Sequence, residues 1–303
     1  MIPDLFNRCS SLKKFFVLLL AGFWLAALWG PANIHSEAFA AAGLPPQVIE
    51  LNLGDDGIFT SSFQDSVLAV EAELPVPARV AAWARRFLAA PGVGYLFGPA
   101  GGGYVAEGRL VLDTRHDCVS LMYRCSELGR ADSAVDALEW ALRTRFAGGT
   151  LDSLIGRTGR VDYDSPEHLD FSLDMIRSGY WGSDITADLN GAVPDSAGSS
   201  RYPAGDFVYV PSGSLVGAEI FEGDIVWLVL DPGSESGRKL RQEFGLVIGH
   251  LGIVIREGEE PWIVHAASRG LPGYYENGGV VKVPLAVYLS RVEKFCGVVV
   301  TRF

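Results

Sequence analysis

The sequence predicts an α+β domain in which helices come first and an antiparallel sheet follows. Three observations carry this reading. Apolar residues recur at helical spacing between residues 77 and 178, they recur at strand spacing after residue 223, and no internal repeat interrupts that order. The chain has 303 residues, 49% hydrophobic and 20% charged, which supplies a packed core and gives no case for disorder.

Residues 41–76 are Pro-rich and read as an extended arm or linker. Residues 77–90 read as a helix: Pro77 opens it, Val80, Trp83, Ala84, Phe87 and Leu88 share a face, and Pro91-Gly92 stops it. Residues 92–108 are Gly-rich and read as loop, without the Gly-Lys-Ser/Thr of a phosphate cradle. Asp117 is a good N-cap for a helix that begins at Cys118. Helices are also expected over 131–146, ended by Gly148-Gly149, and over 166–178, where Ser165 caps and Pro166 leads. Residues 190–201 read as loop. Strands are expected over 223–230, 246–256, 261–268, 280–283 and 295–302, with a polar connector at 231–243.

The N-terminus reads as an export address. Arg8, Lys13 and Lys14 precede the apolar run 15–29, and Ala38-Phe39-Ala40 supplies an A-x-A cleavage site. Fifteen helical residues rise only about 22 Å, short of a hydrocarbon core of about 30 Å, so a cleaved signal over 1–40 is expected in preference to an anchor. Membrane contact is then transient and the destination periplasmic. Nucleic acid is not an expected partner, because a net charge of −11 lacks the basic face it requires.

Cleavage removes Cys9 and leaves Cys118, Cys125 and Cys296, an odd number in an oxidising compartment. Cys118 and Cys125 lie seven apart on one helix, about 10.5 Å along its axis, too far to bridge. A free thiol is therefore expected. Cys118 occupies the first helical turn, where the helix dipole favours thiolate and cysteines titrate at about 3.5–7.5. Unpaired backbone N–H groups there, its own included, can hold a developing oxyanion. Alone, one helical cysteine is more often a small buried hydrophobe.

His250 lies on a strand, where alternation places it on the face of Ile248, Gly252 and Val254. Gly249 and Gly252 flanking it suggest a closely packed helix or ligand. His265 falls on the adjacent antiparallel strand, in reach to fix the tautomer of His250. Either histidine alone is more often a satisfied structural side chain.

At these residues the chain resembles the NlpC-type papain-like cell-wall cysteine peptidases, and within them the N-acetylmuramoyl-L-alanine amidase-like branch. Asp117-Cys118 at a helix start, Gly249-His250-Leu251-Gly252-Ile253 on one strand and Val264-His265-Ala266-Ala267-Ser268 on the next carry the likeness. Asp184-Ile185-Thr186 and Gly223-Asp224-Ile225 fit that branch as well. The resemblance runs from about residue 84 to 303. It implies a papain-like arrangement with the histidines on the sheet and peptidoglycan or muropeptides as partner. It also implies Cys118 as nucleophile, His250 as general base and acid, and His265 as orienting residue. Tyr95 falls where such enzymes often place a tyrosine beside the nucleophile, and Tyr104 competes for that role. Pro166-Glu167-His168-Leu169-Asp170-Phe171 stands where the branch has an Arg- and aromatic-rich stretch, so the substrate subsite departs from the pattern.

The expected chemistry is acyl transfer to Cys118 without metal or cofactor. Two other readings stay open. His116, Cys118, His250 and His265 supply enough ligands for zinc, although their spacing matches no compact zinc motif. A fold-retaining cell-wall binding module without activity is the other. Within the enzyme reading, the bond cut is the lactyl–L-alanine amide of the branch or the γ-D-glutamyl bond more usual in the wider group.

Overall fold

In the computed structural model, the described residues are 43–54, 58–97, 103–147, 149–169, 173–196 and 205–303. The expected signal segment lies outside them. The N-terminal half is mainly helical: α1 (Pro46–Leu53), α2 (Ser61–Glu71) and α3 (Val76–Ala89), then a short strand β1 (Gly94–Tyr95) and helix α4 (Gly103–Glu107). Next come β2 (Arg115–His116), α5 (Cys118–Arg130), α6 (Ala134–Arg145), α7 (Leu151–Leu154) and α8 (Leu173–Ser178). The remainder holds β3 (Ser183–Asp184), β4 (Val193–Ser196), β5 (Asp206–Pro211), β6 (Ile225–Leu230), α9 (Glu235–Phe244), β7 (Ile248–Glu257), β8 (Glu260–Ala267), β9 (Gly279–Pro284), α10 (Leu285–Arg291) and β10 (Phe295–Arg302).

The main sheet runs β4-β5-β10-β6-β7-β8-β9, with β3 also paired to β10, and its pairings are antiparallel. The α+β expectation therefore stands. Strand β6 is buried at all six positions, because both of its faces are covered. Ile225, Trp227 and Val229 pack towards Met122 and Tyr123 of α5, whereas Val226, Leu228 and Leu230 pack towards Leu285, Tyr288 and Leu289 of α10. A strand buried on both faces reads as a continuous apolar run.

Helix α5 is the structural axis of the site. Asp117 caps it with a capping box: the Ser120 N–H donates to Asp117 Oδ1 at 2.8 Å and the Asp117 N–H donates to Ser120 Oγ at 3.0 Å. Gly129 lets α3 cross closely, since a Cβ there would lie 2.5 Å from Val80 Cγ2. Below the helix runs a fully buried ionic network. Arg124 Nε donates to Asp113 Oδ1 at 2.9 Å, and Arg145 grips Glu127 through two bonds of 2.8 and 2.9 Å. Arg145 also donates to the Tyr163 hydroxyl, which in turn donates to the Arg109 carbonyl.

Several sequence expectations are corrected. The supposed extended arm holds α1 and α2, the latter capped by Thr60 and joined to α3 through Phe59, which meets Trp83 and Phe87 edge-on. The helix expected over 166–178 is described only over Leu173–Ser178, because Pro166 and Glu167 turn and His168 bridges to Phe146. The supposed loops at 92–108 and 190–201 contain β1, α4 and β4. The polar connector is helix α9, capped by Ser234 and ended by Gly245 at φ 66°, a left-handed position that suits glycine.

Candidate functional site

Cys118 is the first residue of α5 and keeps part of its surface open. The backbone N–H groups of Leu251 and Val119 lie near its sulfur and favour thiolate. Leu251 follows His250 in β7, so the sulfur lies against the chain neighbour of the histidine. The first-turn expectation of a lowered thiol pKa is reversed. Burial first, and then the charge of Asp117, push the Cys118 thiol up to about 12 against those two N–H groups.

His250 is aimed by a β-bulge. Leu228 pairs with His250 but Val229 pairs with Ile248, which leaves Gly249 as an extra residue. Simple alternation therefore fails at this point. Ile248 belongs with Trp227 and Leu251 in the cluster facing α5. His250 instead stacks on Tyr288 at 5.8 Å and Phe295 at 6.3 Å, both in the cluster facing α10. The flanking glycines have a different role from the one expected. A Cβ at Gly249 would strike Leu230 and Phe295, and one at Gly252 would crowd Ile263 and His265, so both make room for neighbouring strands.

His265 is fully buried on β8, and its Nδ1 lies 2.8 Å from His250 Nε2. Its own Nε2 lies 3.4 Å from the Tyr275 hydroxyl. Tyr288 closes over both rings, 4.8 Å from His265. Burial holds His265 down to about 3, and burial with neighbouring His265 and Lys294 holds His250 well below the usual imidazole value. Both rings are neutral at neutral pH. No hydrogen bond joins Cys118 to His250 among the described residues; Cys118 packs with Leu251 in the cluster facing α5, His250 stacks on Tyr288 of the cluster facing α10, and Tyr288 lies within electrostatic reach of Cys118.

Tyr95 is brought to the same place. Strand β1 runs parallel to β2, with Tyr95 opposite His116, two residues before Cys118. Burial, then the charges of Cys118 and Asp117, push its hydroxyl up to about 12. Tyr104 instead packs edge-on to Tyr163 at 5.3 Å in the helical core. The geometry thus separates the two tyrosines.

His116 does not join the cluster. It is buried, its Nδ1 lies 3.2 Å from Ser120 Oγ, and Phe87 meets its ring edge-on at 4.9 Å. No group of three or more His, Cys, Asp or Glu side chains fit to hold a metal ion forms among the described residues. Cys118, Cys125 and Cys296 are all free thiols. Sequence reasoning missed Tyr275, Tyr288 and Lys294. They sit in a turn, a short helix and a strand approach, where no local pattern marks them.

No family model matches the chain, and no curated protein matches it by sequence. Solved structures do resemble it. One is an N-acetylmuramoyl-L-alanine amidase from Bacteroides uniformis ATCC 8492, at 18% identity and a TM-score of 0.54, covering 75% of this chain and 98% of that one. A second is the Legionella pneumophila str. Philadelphia 1 protein LPG0564, of family DUF1460, at 17% identity and a TM-score of 0.58, covering 79% and 93%. A third is a proposed xylanase from Bacteroides fragilis, at 17% identity and a TM-score of 0.53, covering 73% and 99%. At such identities the likeness is one of fold.

Proposed function

We propose that this protein is an exported cysteine hydrolase that cuts an amide bond in peptidoglycan, the bond between the muramic acid lactyl group and L-alanine. The observations that support the reading are the hydrogen-bonded pair His250 and His265 on β7 and β8 and the place of Cys118 at the first turn of α5, in the same cluster as Leu251, the residue after His250. The fold shared with an N-acetylmuramoyl-L-alanine amidase supports the choice of substrate. The signal-like N-terminus supports export to the periplasm.

The resting pair is neutral thiol and neutral imidazole. As substrate displaces water, His250 takes the Cys118 proton and the sulfur attacks the amide carbonyl. The first-turn N–H groups of α5, with Tyr95 beside them, hold the oxyanion. Protonated His250 then delivers its proton to the departing amine, and water, activated by the same ring, clears the thioester. His265 orients the ring throughout. This is papain-like, NlpC-type chemistry.

The test is digestion of purified peptidoglycan followed by mass spectrometry of the fragments. Free stem peptides beginning with L-alanine are expected from the wild type, and none from Cys118→Ala. Cleavage after γ-D-glutamate would move the assignment to a stem-peptide endopeptidase of the same fold. A second reading, a cell-wall binding module, is favoured by the raised thiol and by the missing bond between Cys118 and His250. Wall binding without amine release, by wild type and variant alike, would establish it.

A further inference from the structure

Several cations around the sheet are matched by carboxylates, while others, such as Arg238, Lys239 and Arg291 on exposed helix surface, are not, among the described residues. Arg302 bonds Asp224, Arg241 bonds Asp195, Arg85 grips Glu222 and Lys282 pairs with Glu257. Two cations beside the candidate site are not so matched. Lys294 and Arg269 form no ion pair with a carboxylate among the described residues, in a chain whose net charge is −11.

Their placement is specific. Lys294 is half-buried, with its ammonium 4.8 Å from the centre of the Phe295 ring. Phe295 stacks on both His250 and Tyr288, so the ammonium stands one ring away from the histidine. Lys294 lies within electrostatic reach of Cys118, and Arg269 within reach of Lys294, Tyr275 and Tyr288. Arg269 follows β8, four residues after His265, and is exposed. Immediately after it, the turn from Gly270 to Glu276 lines an open cavity of about 570 Å³ whose aromatic walls are Tyr274 and Tyr275. Glu276 is the one acidic residue lining it.

We propose that Lys294 and Arg269 form the subsite for a carboxylate of the substrate, beside the amide that is cut. Lys294 loses hydration in its half-buried position, and a desolvated ammonium without a counter-ion gains most when an anion arrives. Arg269, the chain neighbour of the cavity-lining Gly270, adds a planar donor fork that can hold a carboxylate by two bonds. The substrate class is therefore an amide flanked by an acidic residue, which deepens the peptidoglycan reading and rests on it.

The experiment compares N-acetylmuramoyl-L-alanyl-D-glutamic acid with its diamide. Hydrolysis is measured with the wild type, and binding is measured by calorimetry on Cys118→Ala, so that the subsite is read even without turnover. The wild type is expected to show a KM for the diacid at least about tenfold below that for the diamide, the scale of one charge-assisted hydrogen bond. Lys294→Gln and Arg269→Gln should each shrink that ratio and the double variant should remove it. Arg269 is exposed, so its variant tests the idea should Lys294→Gln fold poorly. Equal handling of the two probes by the wild type, absence of binding to either, or discrimination that survives in the double variant overturns the proposal. Diacid-selective binding with no hydrolysis of any wall amide would uphold the subsite while sinking the hydrolase reading.

Discussion

His250 Nε2 and His265 Nδ1 lie 2.8 Å apart with their rings almost perpendicular, at 86°. One proton must lie between two neutral imidazoles at that distance. For His250 to accept a thiol proton at Nδ1, its Nε2 must carry the hydrogen and donate to His265. That leaves the His265 hydrogen on Nε2, pointing to the Tyr275 hydroxyl 3.4 Å away. Tyr275 is thus placed to fix one tautomer through a buried ring. Replacing His265 by Ala is expected to lower kcat about 10²–10⁴-fold, the scale found when an orienting partner is lost. Tyr275→Phe should cost less and shift the pH–rate profile. An unchanged profile and kcat in both variants would remove the orienting role.

How much of this was legible in the sequence differs from residue to residue. Cys118 was legible because Asp117 marks its helix start, and a capping residue acts locally. The histidine strands were legible because their apolar alternation is local too. The facing of His250 was not, since the bulge at Gly249 arises from pairing with β6 and breaks the two-residue period. Helix α9 is so polar that its inward stripe offers only Leu240 and Phe244 as large apolar residues beside Gly237 and Arg241, although Ser234 and Gly245 mark its ends. Strand β5 alternates Phe207 with Val208 and Tyr209 with Val210 and gives no clean period. The pKa of Cys118 depends on what packs around it, which no spacing rule reports.

The reactivity of that thiol follows from its surroundings. With the folded pKa pushed up to about 12, Cys118 is protonated at neutral pH and thiolate appears only as pH rises. Iodoacetamide labelling of the substrate-free protein is expected to be slower than that of a free thiol at pH 7.5. The rate should continue to climb beyond pH 9. Cys125, fully buried, should label more slowly still. Mass-spectrometric site mapping across pH checks this, and a rate already level at neutral pH contradicts it.

Acid should weaken the fold before carboxylates begin to protonate. His116 is held down to about 4 and His265 to about 3, both chiefly by burial. Below an ordinary pKa of about 6.5 the unfolded chain takes up protons that the folded chain refuses, so stability falls as pH falls. Each histidine contributes a slope of about 1.4 kcal/mol per pH unit between about 6.5 and its folded value. Urea unfolding at pH 7 and pH 5 measures this. A midpoint that does not move would mean that these rings meet water.

The ionic network under α5 ties the thiol-bearing helix to its neighbours. Glu127 is fully buried and receives Arg145 through two bonds. Glu127→Gln leaves the Arg145 charge without its counter-ion and is expected to cost about 3–5 kcal/mol of stability. Thermal or urea denaturation reads the loss. A cost below about 1 kcal/mol would place the pair in contact with solvent, contrary to its burial.

The extra residue at Gly249 makes the direction of one imidazole a matter of counting. Exchanging a side chain elsewhere in β7 leaves the number of links between the turn and His250 intact. Losing or gaining one link would swing the ring to the opposite side of the sheet while every pairing partner remained available. Outside Gly249 and Gly252, substitutions in this segment should therefore be tolerated far better than insertions or deletions.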